Sequence, residues 1–228
     1  MKATRISDRL IQLNRLRFVN AFLVREDDGF TLVDTSLSGN GPAILRAAEA
    51  AGARIVRIAL THAHGDHIGS LDALHGAVPE AEVIMGVREA RLTEEERRLD
   101  PYEPQAKVRG QWPAFETPPS RTVVDGDRLG SLRVVFTPGH TPGHVAYFDE
   151  RDRTVIAGDA LSTINGLAVA GKMRPLWPLV AVGTWHRPTA VESARKLQAL
   201  DPVRLVVGHG NPLDNPGAAL YRAIDAAA

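Results

Sequence analysis

Residues 54–67 read Arg54-Ile55-Val56-Arg57-Ile58-Ala59-Leu60-Thr61-His62-Ala63-His64-Gly65-Asp66-His67. The first half is short, β-branched and largely apolar, the pattern of a buried strand over 54–60. The second half places three of the chain's eight histidines within six residues. In extended backbone alternate side chains point the same way, so His62 and His64 can grip one ion together. Asp66 and His67 are adjacent and diverge, so they can reach a second ion beside the first. A polar loop with scattered histidines would not show this spacing; metal sites do. Gly65, lacking a Cβ, is expected to let the backbone turn tightly among the ligands.

Working outward, Val19–Arg25 and Phe30–Asp34 read as strands joined at Asp28-Gly29, a hairpin signal. Residues 41–51 read as a helix, with Pro42 near its start and Gly52 just past its end. Helices are expected over 68–77 and 87–99, with a short strand over 81–85 between them. Five prolines (101, 104, 113, 118 and 119) make 100–120 irregular. Strands resume over 132–137, 144–149 and 154–158. A second irregular stretch is expected over 161–187. Then come a helix over 189–200 opened by Pro188, a strand over 204–207 and a last helix near Pro216. Strands alternate with helices in both halves. That suits an α/β fold in which two sheets pack face to face with helices outside, a four-layer αββα sandwich, as one domain over 1–228 with insertions near 100–120 and 161–187.

Composition narrows the function. Lys+Arg and Asp+Glu balance at 27 each, without the basic footprint of a nucleic-acid binder. There is no cysteine, which removes disulfides and thiolate ligands. The first ten residues are polar and charged, with no apolar leader, and no apolar run is long enough to span a bilayer. A cytoplasmic protein with a small-molecule substrate is the expectation, with neither nucleic acid nor membrane as partner and a homodimer left open.

Four donors in one loop cannot complete two sites, so the remainder are expected at other strand ends. His140 in Pro138-Gly139-His140-Thr141, Asp159 after Gly158, and His209 in Gly208-His209-Gly210 each follow a strand. Imidazole and carboxylate without sulfur suit Zn²⁺ first, with Fe, Mn, Co or Ni as alternatives.

In this order, His-x-His-x-Asp-His, Pro-Gly-His-Thr, Gly-Asp and Gly-His-Gly, the chain resembles the metallo-β-lactamase superfamily. The resemblance implies that His62, His64 and His140 hold one metal, that Asp66, His67 and His209 hold the other, and that Asp159 bridges them. It implies a supporting acid at Asp34, in Leu32-Val33-Asp34-Thr35, and a supporting role for His144 rather than ligation. The implied mechanism is attack by a hydroxide shared between two ions, with Asp66 as a candidate proton shuttle. Subfamily departures narrow the substrate. The cysteine-ligand β-lactamases have Cys where Asp159 stands. Many acyl-homoserine lactonases have Tyr where Ser162 stands. Flavodiiron proteins have Glu where His64 stands. The family's nucleic-acid-processing members usually add a domain or a basic surface. What remains resembles glyoxalase-II-like or lactonase-like enzymes acting on esters, lactones or thioesters, with phosphotriesters or β-lactams as side substrates. A mononuclear iron oxygenase of the persulfide dioxygenase kind and a phosphodiesterase are the alternatives.

All three tryptophans lie in the two irregular stretches, Trp112 in the first and Trp177 and Trp185 in the second. Long irregular loops in compact domains are usually binding loops. An apolar pocket walled by Met173, Leu176, Trp177, Trp185 and His186 is therefore expected over the metals.

Overall fold

The computed structural model describes residues 1–94, 97–173 and 179–228. One sheet takes β1 (Lys2–Arg5), β2 (Leu10–Arg15), β3 (Val19–Arg25), β4 (Phe30–Val33), β5 (Ile55–Ala59), β6 (Glu82–Gly86) and β7 (Arg121–Val123), side by side in that order. Its first four strands are antiparallel neighbours, and β4 through β7 run parallel. The other sheet begins with β8 (Arg128–Leu129), β9 (Leu132–Phe136), β10 (Val145–Asp149) and β11 (Thr154–Ile156). A separate ribbon follows, β12 (Leu161–Ser162) with β13 (Ala168–Val169). The chain then returns to the second sheet as β14 (Arg204–Val206), parallel to β11, and β15 (Leu213–Asp214) on the edge.

Strand alternation sorts the core into three layers. In β3, Ala21 and Leu23 face the outer cluster beneath α1 (Gly41–Ala50), while Phe22 and Val24 face the other sheet. In β10, Val145 and Tyr147 face the first sheet, while Ala146 and Phe148 face outward. After α1 come α2 (Gly65–Ile68), α3 (Leu71–Ala77), α4 (Val87–Glu94), α5 (Leu179–Gly183), α6 (Arg187–Ala199) and α7 (Gly217–Asp225). Helix α3 joins α1 on the first sheet; α6 and α7 cover the second. Each fully buried Leu, Ile, Val or Phe contributes about 1.5–3 kcal/mol, so every one of the three layers is a substantial stabiliser. Tyr147 lies in the middle layer and donates its hydroxyl to the Leu60 carbonyl at 2.7 Å, joining the sheets where β5 ends.

This is the expected αββα sandwich, with local departures. The polar N-terminus, for which the sequence suggested no element, supplies β1, an edge strand whose polar side chains face solvent. The helix expected over 68–77 is two helices. Ser70, between them, turns its hydroxyl inward onto the Leu37 carbonyl and the Asn40 N–H. The helix expected over 87–99 is described to Glu94, and Arg97 already has φ +63°, a left-handed conformation that ends a helix. The proline-rich stretch is irregular as expected, and the Asp72 carboxylate of α3 pins it by accepting the Glu116 and Thr117 N–H groups. Residues 161–187 are not wholly irregular, since they hold the β12–β13 ribbon and α5. No helix among the described residues is long and apolar enough to cross a membrane.

Candidate metal centre

Strand β5 runs out of the core at Leu60, and the side chains that follow are buried although polar: Thr61, His62, His64 and His67. Asp34, just past β4, holds them. Its carboxylate accepts the Thr61 N–H (2.8 Å) and the Thr61 hydroxyl (2.9 Å), and it faces His67 Nδ1 at 2.8 Å. Asp34 does this from φ +61°, a conformation Asp tolerates better than most residues and one typical of functional sites. The loop after β9 brings His140, the turn after β11 brings Asp159, and the loop after β14 brings His209. Both sheets therefore supply donors.

The donors converge on neighbouring points. His64 Nδ1 lies 3.1 Å from His62 Nε2 and 3.0 Å from His140 Nε2. Donors around a tetrahedral zinc, with bonds of about 2.0–2.1 Å, stand about 3.3 Å apart, so this trio is spaced for one ion. Asp66 Oδ2 and Asp159 Oδ2 each lie 3.2 Å from His209 Nε2. Asp159 reaches both groups, with Oδ1 3.3 Å from His67 Nε2 and Oδ2 3.4 Å from His140 Nε2. His62, His64 and His140 form one cluster able to hold a metal, and Asp66, His67 and His209 form another.

The fit to metal can be tested on the buried polar atoms left without a partner. His67 Nε2 and Asp159 Oδ1 are buried without a well-formed hydrogen bond, a state folded proteins avoid unless something else fills it. Each histidine is also held from behind. His209 Nδ1 donates to the Phe18 carbonyl and His64 Nε2 to the Arg109 carbonyl. The Thr184 hydroxyl donates to Val180, so it accepts from His140 Nδ1. The Thr61 hydroxyl donates to Asp34, so it accepts from His62 Nδ1. Outward nitrogens that donate leave inward nitrogens with lone pairs, the arrangement of metal-ligating histidines. The seven donors fit two cations.

Electrostatics divide the centre. Burial pushes His62, His64 and His140 below the usual histidine range, so they are neutral. Burial opposes charge on His67 and His209 too, but Asp159 and neighbouring carboxylates outweigh it. His67 rises well above the usual range and His209 to about 10. Burial would raise Asp159 and Asp66, but His209 and His67 outweigh it and hold both carboxyls below their usual range. Protons on His67 and His209 thus occupy the place of a cation between carboxylates. Asp66 is the most exposed of the seven, at 34%.

His144 is buried, and burial lowers it to about 3. Its Nε2 accepts the Asp159 N–H at 3.0 Å and its Nδ1 donates to the Thr137 hydroxyl, so it aims Asp159 from behind. Gly65 does not play the expected part. It is the first residue of α2, and a Cβ there would make only ordinary contact with Pro113. Glycine is required instead at Gly110, with φ +92°, where a Cβ would run into the His64 ring. Of the expected pocket residues, Met173, Trp185 and His186 are described. Trp185 is buried and donates its indole N–H to the Ala106 carbonyl, bracing one loop on the other. The His186 ring caps α6 through Thr189, and Met173 is half exposed. Leu176 and Trp177 lie outside the described residues. Among the described residues, Trp112 is the tryptophan that reaches the centre, edge-on to His64 with ring centroids 5.2 Å apart.

Sequence reading missed Glu89. It stands in a run of charges that resembles a solvated helix face, yet it is fully buried, and burial raises it to about 7. Nothing local marks it, because its partners lie in loops 26 and 52 residues away.

A sequence model of the metallo-β-lactamase superfamily matches residues 14–209. YobT of Bacillus subtilis is 39% identical over 92% of this chain and 90% of its own length. The hydroxyacylglutathione hydrolase of Rhodospirillum rubrum is 30% identical over 96% of this chain and 68% of its own. Among solved structures, TTHA1623 in a di-iron-bound form superposes with a TM-score of 0.67 at 29% identity, over 91% of this chain and 95% of that one.

Proposed function

The chain belongs to the metallo-β-lactamase superfamily of metal-dependent hydrolases, and we propose that it uses two divalent ions to cleave an ester, lactone or thioester. The observation that carries this is the convergence of seven donors on two neighbouring points with Asp159 reaching both. Ions held there would supply a hydroxide nucleophile at neutral pH and offset charge on the attacked oxygen. His62, His64 and His140 would hold one ion and Asp66, His67 and His209 the other. Asp34 and His144 would keep His67 and Asp159 aimed. Asp66, partly exposed, can reach a leaving group and pass it a proton, although its low pKa means it would hold that proton only briefly. Donors without sulfur suit zinc, and iron is the rival that the di-iron neighbour brings forward.

A second observation bears on the substrate. A cavity of about 730 Å³ is lined, among the described residues, by Arg97, Arg98, Lys107 and Arg109 with no acidic side chain, and by Gly110 and Val182. Gly110 lies against His64, and Gly183, beside Val182, backs onto His140. The cationic wall is therefore on the His64–His140 side of the centre and favours an acyl substrate carrying a negative charge. The hydroxyacylglutathione hydrolase relative agrees, since a glutathione thioester carries carboxylates.

The test is a panel comprising an aryl ester, a lactone, a glutathione thioester, a phosphodiester, a phosphotriester and a β-lactam, with and without chelator. Turnover of an ester, lactone or thioester, lost with chelator and in Asp159→Ala, is the expected result. Turnover of the phosphodiester alone would move the reading to that class. One iron per chain with thiol-dependent oxygen uptake would replace it with an oxygenase.

A further inference from the structure

The donors of the first cluster come from different sheets. His62 and His64 follow β5 of the first, and His140 follows β9 of the second. Two donor atoms, His62 Nε2 and His140 Nε2, within 3.1 Å of the third, His64 Nδ1, require those loops to keep a fixed separation. Metal affinity is steep in such geometry, so something must set the spacing before any ion arrives.

Glu89 touches both loops. Its Oε1 accepts the Ala63 N–H at 2.8 Å, the amide between His62 and His64. Its Oε2 accepts the Thr141 hydroxyl at 2.7 Å, on the residue next to His140. It also accepts a backbone hydrogen bond from Gly143 in the same loop. The backbone closes in as well, since a Cβ at Gly143 would collide with the backbone of Arg88 and Glu89. The side chain is fully buried, and it stands in the first turn of α4, where the helix dipole favours a carboxylate. Among the described residues it has no ion-pair partner: Arg88, its neighbour, is taken by Glu103. A glutamate left in the core without a salt bridge and with its acceptors filled by two ligand loops has a geometric use rather than a surface one.

We propose that Glu89 is a positioning residue that clamps the His62–His64 loop to the His140 loop and so presets the first metal cluster across the two sheets. It touches neither ion nor substrate. The clamp requires two acceptor oxygens. Glu89→Gln keeps the size but leaves one, so at least one of the three donors must face an amide NH₂. Thr141→Val removes the His140 arm alone, and Thr141→Ser keeps its hydroxyl.

The inference rests on the metal reading of His62, His64 and His140, so the readout is Zn²⁺ affinity of the metal-free chain rather than turnover. Affinity is measured by competition with a chromophoric chelator, with folding checked by circular dichroism. Removing a supporting hydrogen-bond partner typically weakens metal affinity about 10- to 100-fold. Glu89→Gln and Thr141→Val should weaken one of two Zn²⁺ ions by that range and leave the other unchanged, and Thr141→Ser should restore it. In a His140→Ala background, where the first cluster is already lost, Glu89→Gln should change the remaining ion's affinity by less than about twofold, the double-mutant signature of action through that cluster. Equal weakening of both ions, or an undiminished Glu89→Gln effect in His140→Ala, would reduce Glu89 to a general core residue and overturn the proposal. So would two ions bound at parent affinity in folded Glu89→Gln and Thr141→Val. If the parent chain binds no Zn²⁺, the donor-set reading falls and this inference with it, whereas two ions in the parent and no effect in the variants would sink this inference alone.

Discussion

At the scale of single residues, what distinguishes the centre is the direction of its lone pairs. Thr61 and Thr184 each donate outward and accept from a histidine, so neutral His62 and His140 point an unprotonated nitrogen at a shared space. His67 and His209 are different, because carboxylates around them hold protons there when no cation does. Metal entry must expel those protons. Zn²⁺ binding at pH 7 should therefore release more than one proton per chain, read as different calorimetric heats in buffers of different ionisation enthalpy. Equal heats would show that the protons are not held. His209 moves from about 6.5 unfolded up to about 10 folded, so its contribution is complete below the lower value and lost as pH rises through the upper one. The metal-free protein should melt lower at pH 10 than at pH 7, and the Zn²⁺-loaded protein should lose much less over the same interval. His75, His144 and His186 share the residue type but not this environment. The alternation at 62–67 and the strand-end positions of His140 and His209 are local features and could be read from the sequence, whereas His144, in the same Pro-Gly-His context as His140, was set apart by the family resemblance alone.

At the scale of elements, legibility followed range. The apolar strands, the α1 boundaries and the proline-rich break were readable because their causes lie within a few residues. Strand β1 was not, since an edge strand is polar on its open side and owes its place to Leu10–Arg15 beside it. Glu89 was not, since helix periodicity says nothing about which loop covers a face. Tryptophan in an irregular stretch suggested a pocket wall, but burial and a hydrogen bond to Ala106 make Trp185 a brace. Trp185→Ala should thus cost about 3–5 kcal/mol of stability, measured by urea unfolding. His186→Ala should cost about 1 kcal/mol as a lost helix cap, with unchanged selectivity between ester and lactone. A change of selectivity in His186→Ala at parent stability would return it to the pocket. Trp112 packs edge-on against His64, and Trp112→Ala should shift KM.

At the scale of the whole molecule, the sandwich explains why one centre draws on both halves of the sequence. Strand ends of the two sheets meet at one edge, and the middle layer of Phe22, Val33, Ile84, Val145 and Tyr147 keeps those ends in register. The formal net charge is zero, so long-range attraction for an anion cannot come from the molecule as a whole. It can come from the local wall of Arg97, Arg98, Lys107 and Arg109. These side chains are exposed, so their field is screened over a Debye length of about 8 Å at physiological salt. That makes the wall separable from the metals by ionic strength. For a matched pair of esters, one neutral and one with a terminal carboxylate, raising salt from 20 to 500 mM, values chosen to span roughly a fourfold or greater change in screening length, should lower kcat/KM for the charged ester about three- to tenfold. The neutral ester should change little, and Lys107→Ala with Arg109→Ala should remove the difference between the two. Hydrolysis of both esters with the same salt dependence would leave the metal centre as a hydrolase site and strike out the anionic preference. Failure of both in the metal-loaded chain would instead count against ester chemistry itself.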